Sequence, residues 1–119
     1  MIPLQTQEEF EKIYRQDALA APILIYFTAT WCRACKKLDW ESIQSEFPGL
    51  TIYKCDIDEN SYTPGYCNVS SIPHMLMMHP SKELESVTTS DTAKAKEFIG
   101  LQLANVKTEK KQQKQSQNK

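Results

Sequence analysis

The sequence lacks a long apolar run, a surplus of basic residues and a recognisable targeting leader. Its longest apolar stretch, Ala18–Ala29, is interrupted by Pro22 and Tyr26, and it is much shorter than the roughly 20 residues of a membrane-spanning helix. Lys and Arg number 14 against 15 Asp and Glu, whereas nucleic-acid binders usually carry a clear basic surplus. The acidic N-terminal segment fits neither a secretory signal nor a transit peptide. We therefore expect no membrane span, no nucleic-acid partner and a cytoplasmic location, with an organelle as the alternative if a targeting segment has been removed.

Cysteine is also scarce, with 4 in 119 residues. A secreted fold stapled by disulfides is usually shorter and richer in cysteine. In a reducing compartment a close cysteine pair is more often redox-active or metal-binding than structural. The length suits one domain, and an apolar fraction of 40% supplies one modest core, which a disordered chain would lack.

The C-terminal segment 107–119 contains five Lys, four Gln and no aliphatic or aromatic side chain. Such a segment cannot bury enough apolar surface to offset its ordering entropy. We therefore predict a folded domain over residues 1–106, followed by a tail that is disordered or a frayed helix end. A weak electrostatic patch for membrane or RNA is the alternative reading of the tail.

Hydrophobic periodicity predicts an alternating order of elements, α-β-α-β-α-β-β-α. The first helix is opened by a capping box at Thr6 and Glu9 and carries Phe10, Ile13 and Tyr14 on one face. A buried strand Ile23–Phe27, a helix from the Trp31–Arg33 turn to about Phe47, a strand Leu50–Ile57 and a short helix or turn through Tyr66 follow. The chain ends with a strand Met75–Met78, an edge strand Leu84–Thr88 and a helix capped by Ser90 or Asp91. Alternation followed by a hairpin implies an α/β fold whose mixed sheet has helices on both faces.

Cys32 and Cys35 follow a buried strand directly and open a predicted helix. Free N–H groups and the dipole at a helix N-terminus favour a thiolate, so we expect a lowered pKa for Cys32. Cys35 lies one helical turn further on and could attack a mixed disulfide formed at Cys32. The spacing therefore suits thiol–disulfide exchange, with Cys32 as the nucleophile and Cys35 as the resolving thiol.

Two other readings of the cysteines remain open. Cys32, Cys35, Cys55 and Cys67 could together bind zinc, although zinc sites usually present two short spacings and the second pair here is far apart. Alternatively, Cys32 and Cys35 could be inert buried thiols. Cys55 is interpreted as strand packing, and Cys67 as a buried thiol or an additional redox thiol.

Three ordered motifs resemble the thioredoxin family. Tyr26–Lys36 is similar to the family's active-site segment, whose usual motif is Trp-Cys-Gly-Pro-Cys-Lys. Lys54–Asn60 resembles the next strand and its Asp-rich exit, and Ile72–Pro73 matches the family's Ile-Pro. The likeness spans about residues 5–104 and implies a thioredoxin fold, a central mixed β-sheet flanked by helices.

The resemblance also implies roles for individual residues. Pro73 is expected to be a cis-proline facing the dithiol, with the Ile72 backbone pairing with an extended substrate segment and Trp31 covering the rim. Lys54 matches a buried lysine beside the dithiol, with a solvent-facing lysine as the alternative. His74 would then lie within reach of the dithiol, unless it is a strand residue directed elsewhere.

The departures from the family pattern concern the same site. Tyr26 stands where the family has a buried acid that is thought to help deprotonate the resolving cysteine, and a phenol with a reference pKa of about 10 is a poorer base. Arg33 and Ala34 replace the Gly-Pro between the cysteines. The fixed charge of Arg33 should stabilise the Cys32 thiolate and make the disulfide more oxidising.

These residues lead to two functional hypotheses. The first is a monomeric thiol–disulfide oxidoreductase that reduces or exchanges protein disulfides through Cys32 and Cys35. It needs no bound cofactor and no metal, because the cysteines carry the electrons, and its electron donor would be a thioredoxin reductase or glutathione. The alternative is a thioredoxin-fold binding or adaptor module whose dithiol is vestigial or regulatory.

Overall fold

The computed structural model describes residues 1–15, 21–81 and 83–117, with side chains described as far as Ala104. Its elements in chain order are β1 (Ile2–Pro3), α1 (Gln7–Tyr14), β2 (Ile23–Thr28), a 3-10 helix (Ala34–Lys37), α2 (Trp40–Glu46), β3 (Thr51–Asp56), α3 (Tyr62–Tyr66), β4 (His74–Met78), β5 (Leu84–Thr88) and α4 (Thr92–Gln117). The predicted order is confirmed except for the first strand and the division of the second helix into a 3-10 helix and α2. That strand was missed because two residues are too short to show a periodicity.

The strands form one mixed sheet in the order β1-β3-β2-β4-β5. β3 runs parallel to both β1 and β2, while β4 runs antiparallel to β2 and to β5. Pro3 is tolerated in β1 because an edge strand leaves one row of its backbone groups without a ladder partner. The mixed sheet is therefore confirmed, and β2 lies at its centre.

Helices cover both faces of the sheet. All six residues of β2 are buried, and their side chains alternate between the faces, as strand geometry requires. Leu24 and Tyr26 belong to one apolar cluster together with residues of α2 and α4, which we call the dithiol-side core because it also contains both cysteines of the motif. Ile25 and Phe27 belong to the opposite core, covered by α1 and α3.

The first helix begins as the sequence predicts. The Thr6 hydroxyl accepts the N–H of Glu9 at 3.1 Å, and the Glu9 carboxylate accepts the N–H of Thr6 at 3.0 Å. This reciprocal pair satisfies two N–H groups that a helix start otherwise leaves unpaired. Phe10 is fully buried, and Ile13 and Tyr14 pack against the same core, so the predicted buried face of α1 is confirmed.

The single helix predicted from the end of the Trp31–Arg33 turn to about Phe47 is wrong, because the chain forms two separate helices there. The 3-10 helix ends at Lys37, and the next residue, Leu38, has an extended backbone and a side chain in the dithiol-side core. Asp39 then starts α2, with its carboxylate accepting the N–H of Ser42 at 3.1 Å. The N–H of Asp39 donates to the Thr92 hydroxyl at 3.0 Å. This contact with the start of α4 is tertiary, and local periodicity could not reveal it.

The last helix begins at the predicted cap. The Asp91 carboxylate accepts the N–H groups of Ala93 and Lys94 at 2.8 and 3.3 Å, and Ala95 and Ile99 are fully buried. The backbone of α4 is helical through Gln117. The end of the tail and its side chains lie outside the described residues, so the domain boundary at residue 106 stays a prediction. Within the described part of the chain, none of the helices combines the length and apolar character needed to cross a membrane.

Candidate active site

The two cysteines of the motif form a disulfide at the end of the central strand. The chain leaves β2 at Thr28 and turns so that the N–H of Cys32 donates to the carbonyl of Ala29 at 3.1 Å. Cys32 and Cys35 are joined by the disulfide, with their Cα atoms 5.3 Å apart. The N–H of Cys35 lies 3.1 Å from the Cys32 sulfur. A backbone donor is thus placed where it would stabilise negative charge on that sulfur.

The helix that carries Cys35 is shorter than expected. It has four residues and is of the 3-10 type, so the macrodipole of a long helix does not act on the pair. The groups that can still stabilise a Cys32 thiolate are the local N–H that contacts its sulfur and the side chains around it. Arg33 is exposed at the start of the 3-10 helix, and Lys36 and Lys37 are exposed within it. Ala34 packs against the dithiol-side core.

Trp31 is the most exposed large apolar side chain beside the disulfide, at 63%. Its indole N–H donates to the Asp58 carboxylate at 2.8 Å, which ties the active-site loop to the segment that follows β3. Trp31 and Ile72 line a groove of about 510 Å³. The sequence motif included Asp58, but gave no sign that this carboxylate holds the indole.

Tyr26 lies beneath the disulfide, in the dithiol-side core. It is 3% exposed, and its ring packs on Trp40 with 4.5 Å between the ring centroids. Its hydroxyl donates to the Cys35 carbonyl at 3.4 Å. Tyr26 therefore supports the backbone of the 3-10 helix and packs the core, and its hydroxyl is directed to a carbonyl.

The Ile72–Pro73 peptide bond is cis, as the resemblance implied. Pro73 is buried and begins the approach to β4, while Ile72 is half-buried and packs against both cores. Ile72 shares the groove with Trp31, so the two motifs that are far apart in the sequence meet beside the disulfide. The pairing of the Ile72 backbone with a substrate segment stays a prediction.

Comparison with known proteins agrees with this geometry. The family model described as Thioredoxin matches residues 2–116. The chain belongs to the thioredoxin family. It is 36% identical to the thioredoxin of Chlamydia trachomatis serovar D over 88 residues, covering 71% of this chain and 81% of that one. It is 31% identical to thioredoxin-1 of Saccharomyces cerevisiae over 97 residues, covering 80% and 91%.

Solved thioredoxin structures share the fold. The thioredoxin of Fasciola hepatica superposes with a TM-score of 0.74 at 24% identity, covering 84% of this chain and 97% of that chain. The thioredoxin of Trypanosoma brucei brucei gives a TM-score of 0.73 at 27% identity, with 83% and 87% covered. A thioredoxin with a disulfide-forming Cys32–Cys35 pair is of the thiol–disulfide oxidoreductase kind.

One expectation drawn from the thioredoxin resemblance is wrong: Lys54 is exposed. It lies next to Tyr26 in the parallel ladder between β2 and β3. There it borders a small cavity that also reaches Cys35. A long lysine stem can follow apolar surface while its ammonium group stays in water, and this explains how a residue of an inner strand is exposed.

His74 does not have the surroundings that the thioredoxin resemblance suggested. It pairs with Phe27 across the sheet, with ring centroids 5.9 Å apart, and its Nδ1 lies 2.7 Å from the Thr88 hydroxyl. Phe27 belongs to the core opposite the dithiol. The geometry therefore favours the alternative of a strand residue directed elsewhere. Burial lowers the pKa of His74 below its usual 6.5, which favours the neutral ring.

This thioredoxin should lose stability in mild acid in part through His74. Because the folded protein favours the neutral ring, it binds fewer protons than the unfolded chain once the pH falls below about 6.5, and protonation then favours unfolding. We expect His74→Gln, which keeps a polar partner for Thr88, to lose less stability than wild type between pH 7.5 and 5.5. Urea unfolding at both pH values measures this, and equal losses in the two proteins would contradict it.

The remaining cysteines lie away from the disulfide. Cys55 is fully buried in the opposite core, and burial raises the pKa of its thiol to about 12. Burial likewise raises the pKa of Cys67 to about 11, and this residue packs against the same core. The four cysteines are thus divided between the two faces of the sheet, which does not suit a common zinc site. Among the residues with described side chains, no cluster of three or more possible metal ligands is present.

Proposed function

We propose that this thioredoxin reduces or exchanges disulfides of protein substrates, with Cys32 as the attacking thiol and Cys35 as the resolving thiol. The observation that carries the proposal is the closed Cys32–Cys35 disulfide with a backbone N–H on the Cys32 sulfur. An N–H donor stabilises a thiolate, which is the reactive form of cysteine. Cys35 is close enough to form the intramolecular disulfide, so it can displace a partner from Cys32.

The reaction needs no group beyond the two cysteines. The Cys32 thiolate attacks one sulfur of a substrate disulfide, and the other substrate sulfur leaves as a thiolate. The Cys35 thiolate then attacks the Cys32 sulfur, so that the Cys32–Cys35 bond forms and the second substrate thiolate leaves. The substrate gains two electrons, the dithiol loses two, and each departing thiolate takes up a proton.

The groove beside the disulfide supports a protein substrate. It is lined by apolar and small polar side chains, among them Trp31, Ile57, Val69, Ile72 and Ser70. Such a mixture of apolar and small polar side chains suits an extended peptide segment. An electron donor such as a thioredoxin reductase or glutathione, a monomeric state and a cytoplasmic location complete the proposal.

A redox titration tests this function. The protein is equilibrated across a series of dithiothreitol or glutathione ratios, quenched in acid, alkylated after unfolding, and analysed by mass spectrometry. We expect Cys32 and Cys35 to close and open together as one two-electron couple, so that a tenfold change in the equilibrium constant corresponds to about 30 mV. Cys55 and Cys67, alkylated in every sample, provide an internal control. A pair that never closes, or never opens, would overturn the proposal.

A further inference from the structure

A small cavity lies behind the resolving cysteine, between β2, β3 and the 3-10 helix. Its volume is about 260 Å³, and it is bordered by Cys35, Tyr26, Lys54, Asp56 and Trp40 among others. A water molecule takes up about 30 Å³ in the liquid, so the cavity is large enough to hold several. The cavity therefore lies between Cys35 and the two charged side chains of β3, Lys54 and Asp56.

Trp40, which borders the cavity, carries an unpaired donor. Trp40 is nine-tenths buried, and its indole N–H has no hydrogen-bond partner among the described residues. Buried N–H groups are nearly always paired, with protein or with ordered water.

Strand register directs Asp56 to this cavity. Asp56 lies next to Thr28 in the parallel ladder, as Lys54 lies next to Tyr26. Alternation along β3 places Lys54 and Asp56 on the dithiol side, while Cys55 between them packs in the opposite core. One oxygen of the Asp56 carboxylate accepts the N–H of Asp58 at 2.9 Å. A carboxylate has about four acceptor positions, so Asp56 keeps acceptor capacity for a water or a proton.

The proposed reaction needs a proton acceptor at this place. Cys35 must lose its proton before it can attack the mixed disulfide, because the thiolate is the nucleophile. Tyr26 donates its own hydrogen to the Cys35 carbonyl, and a lysine ammonium has no acceptor atom. Among the described residues that border the cavity, Asp56 carries the only carboxylate.

We propose that Asp56 accepts the proton of Cys35, through a water in the cavity, during the step that resolves the mixed disulfide. The proton moves from the Cys35 thiol to the Asp56 carboxylate as the Cys35 sulfur bonds to the Cys32 sulfur. The substrate thiolate that leaves takes up a proton, which the Asp56 carboxyl group returns through solvent. Asp56 is thus a positioning residue that acts on Cys35 from the neighbouring strand, and the inference rests on the proposed function.

The test separates the two chemical steps. The reduced protein is mixed with a symmetric disulfide of a short cysteine peptide, quenched in acid at set times, and analysed by intact mass. Appearance of the Cys32–peptide adduct measures attack, and its decay measures resolution. Asp56→Asn is the main variant, because its amide oxygen can still accept the Asp58 N–H while the side chain no longer accepts a proton.

We expect Asp56→Asn to slow adduct decay at pH 7 by at least about tenfold, the lower range of general-base effects, with adduct formation within about twofold of wild type. Its decay rate should rise about tenfold per pH unit, because solvent hydroxide must then deprotonate Cys35, while the wild-type profile is shallower. Asp56→Glu should restore part of the rate. Glu59→Gln, an exposed change of equal charge on the same segment, should decay as wild type does.

The possible outcomes distinguish failure of the Asp56 inference from failure of the proposed oxidoreductase function. If the Asp56→Asn adduct forms and decays at wild-type rates with the wild-type pH profile, Asp56 is not the acceptor, and the oxidoreductase proposal stands. If both steps slow equally, Asp56 has a structural effect and the inference is wrong. If neither wild type nor Cys35→Ser forms an adduct at Cys32, the proposed function fails and the inference with it.

Discussion

Replacing Cys35 with serine is expected to turn the protein into a trap that accumulates a mixed disulfide at Cys32. Attack by Cys32 is unaffected, but the hydroxyl that replaces the resolving thiol cannot form the Cys32–Cys35 bond seen in the structure. Turnover of a protein disulfide should fall at least about a hundredfold, because the covalent intermediate now waits for an external thiol. Intact mass spectrometry after reaction with a disulfide-containing protein measures the adduct directly.

Two control variants identify the attacking residue. Cys32→Ser should form no adduct, because the sulfur that accepts the Cys35 N–H is gone. Cys67→Ser should behave as wild type, since burial holds the pKa of that thiol near 11 and so keeps it protonated at neutral pH. If Cys35→Ser instead binds partners that reducing agents do not release, the adaptor hypothesis explains the protein better than the redox one.

The fold could be predicted where the local sequence pattern alone determines an element that the tertiary structure also contains. The apolar segment Ile23–Phe27 follows Pro22 directly, and the structure places it, with Thr28 added, at the centre of the sheet. The capping box at Thr6 and the Asp91 cap are local hydrogen bonds, so the sequence is enough to locate both helix starts. The hairpin Met75–Thr88 follows from the apolar run Met75–Met78 and the short segment Leu84–Thr88 that comes soon after it.

The site could be predicted only in part, because contacts distant in sequence decide its details. The break before α2 depends on a hydrogen bond from Asp39 to Thr92. The direction of His74 depends on which face of β4 meets Phe27. Asp56 lies within the Lys54–Asn60 motif, but the sequence indicated no role for it, and only the register between β2 and β3 brings it to the cavity behind Cys35.

Tyr26→Asp, which installs the acid of the family pattern, should destabilise the protein by about 3–5 kcal/mol. That range applies to the removal of a buried aromatic ring, and Tyr26 is 3% exposed and packed on Trp40 at 4.5 Å between the ring centroids. The new carboxyl group would also be buried, which costs further free energy when it is charged. In this protein, therefore, the position is occupied by a packing residue, and an acid cannot be restored there without a loss of core.

The pH dependence of the unfolding free energy distinguishes the loss of the aromatic ring from the burial of a charged carboxyl group. Burial raises the pKa of a carboxyl group, so the folded variant would bind more protons than the unfolded chain above about pH 4. Protonation then favours folding, and the loss of stability in Tyr26→Asp should be larger at pH 8 than at pH 4.5 in urea unfolding experiments. Tyr26→Phe, which loses only the hydrogen bond to the Cys35 carbonyl, should cost about 1 kcal/mol at both pH values. Equal stability of the Asp and Phe variants would show that the ring of Tyr26 does not support the core. Packing would then not explain why this position carries a tyrosine and no acid.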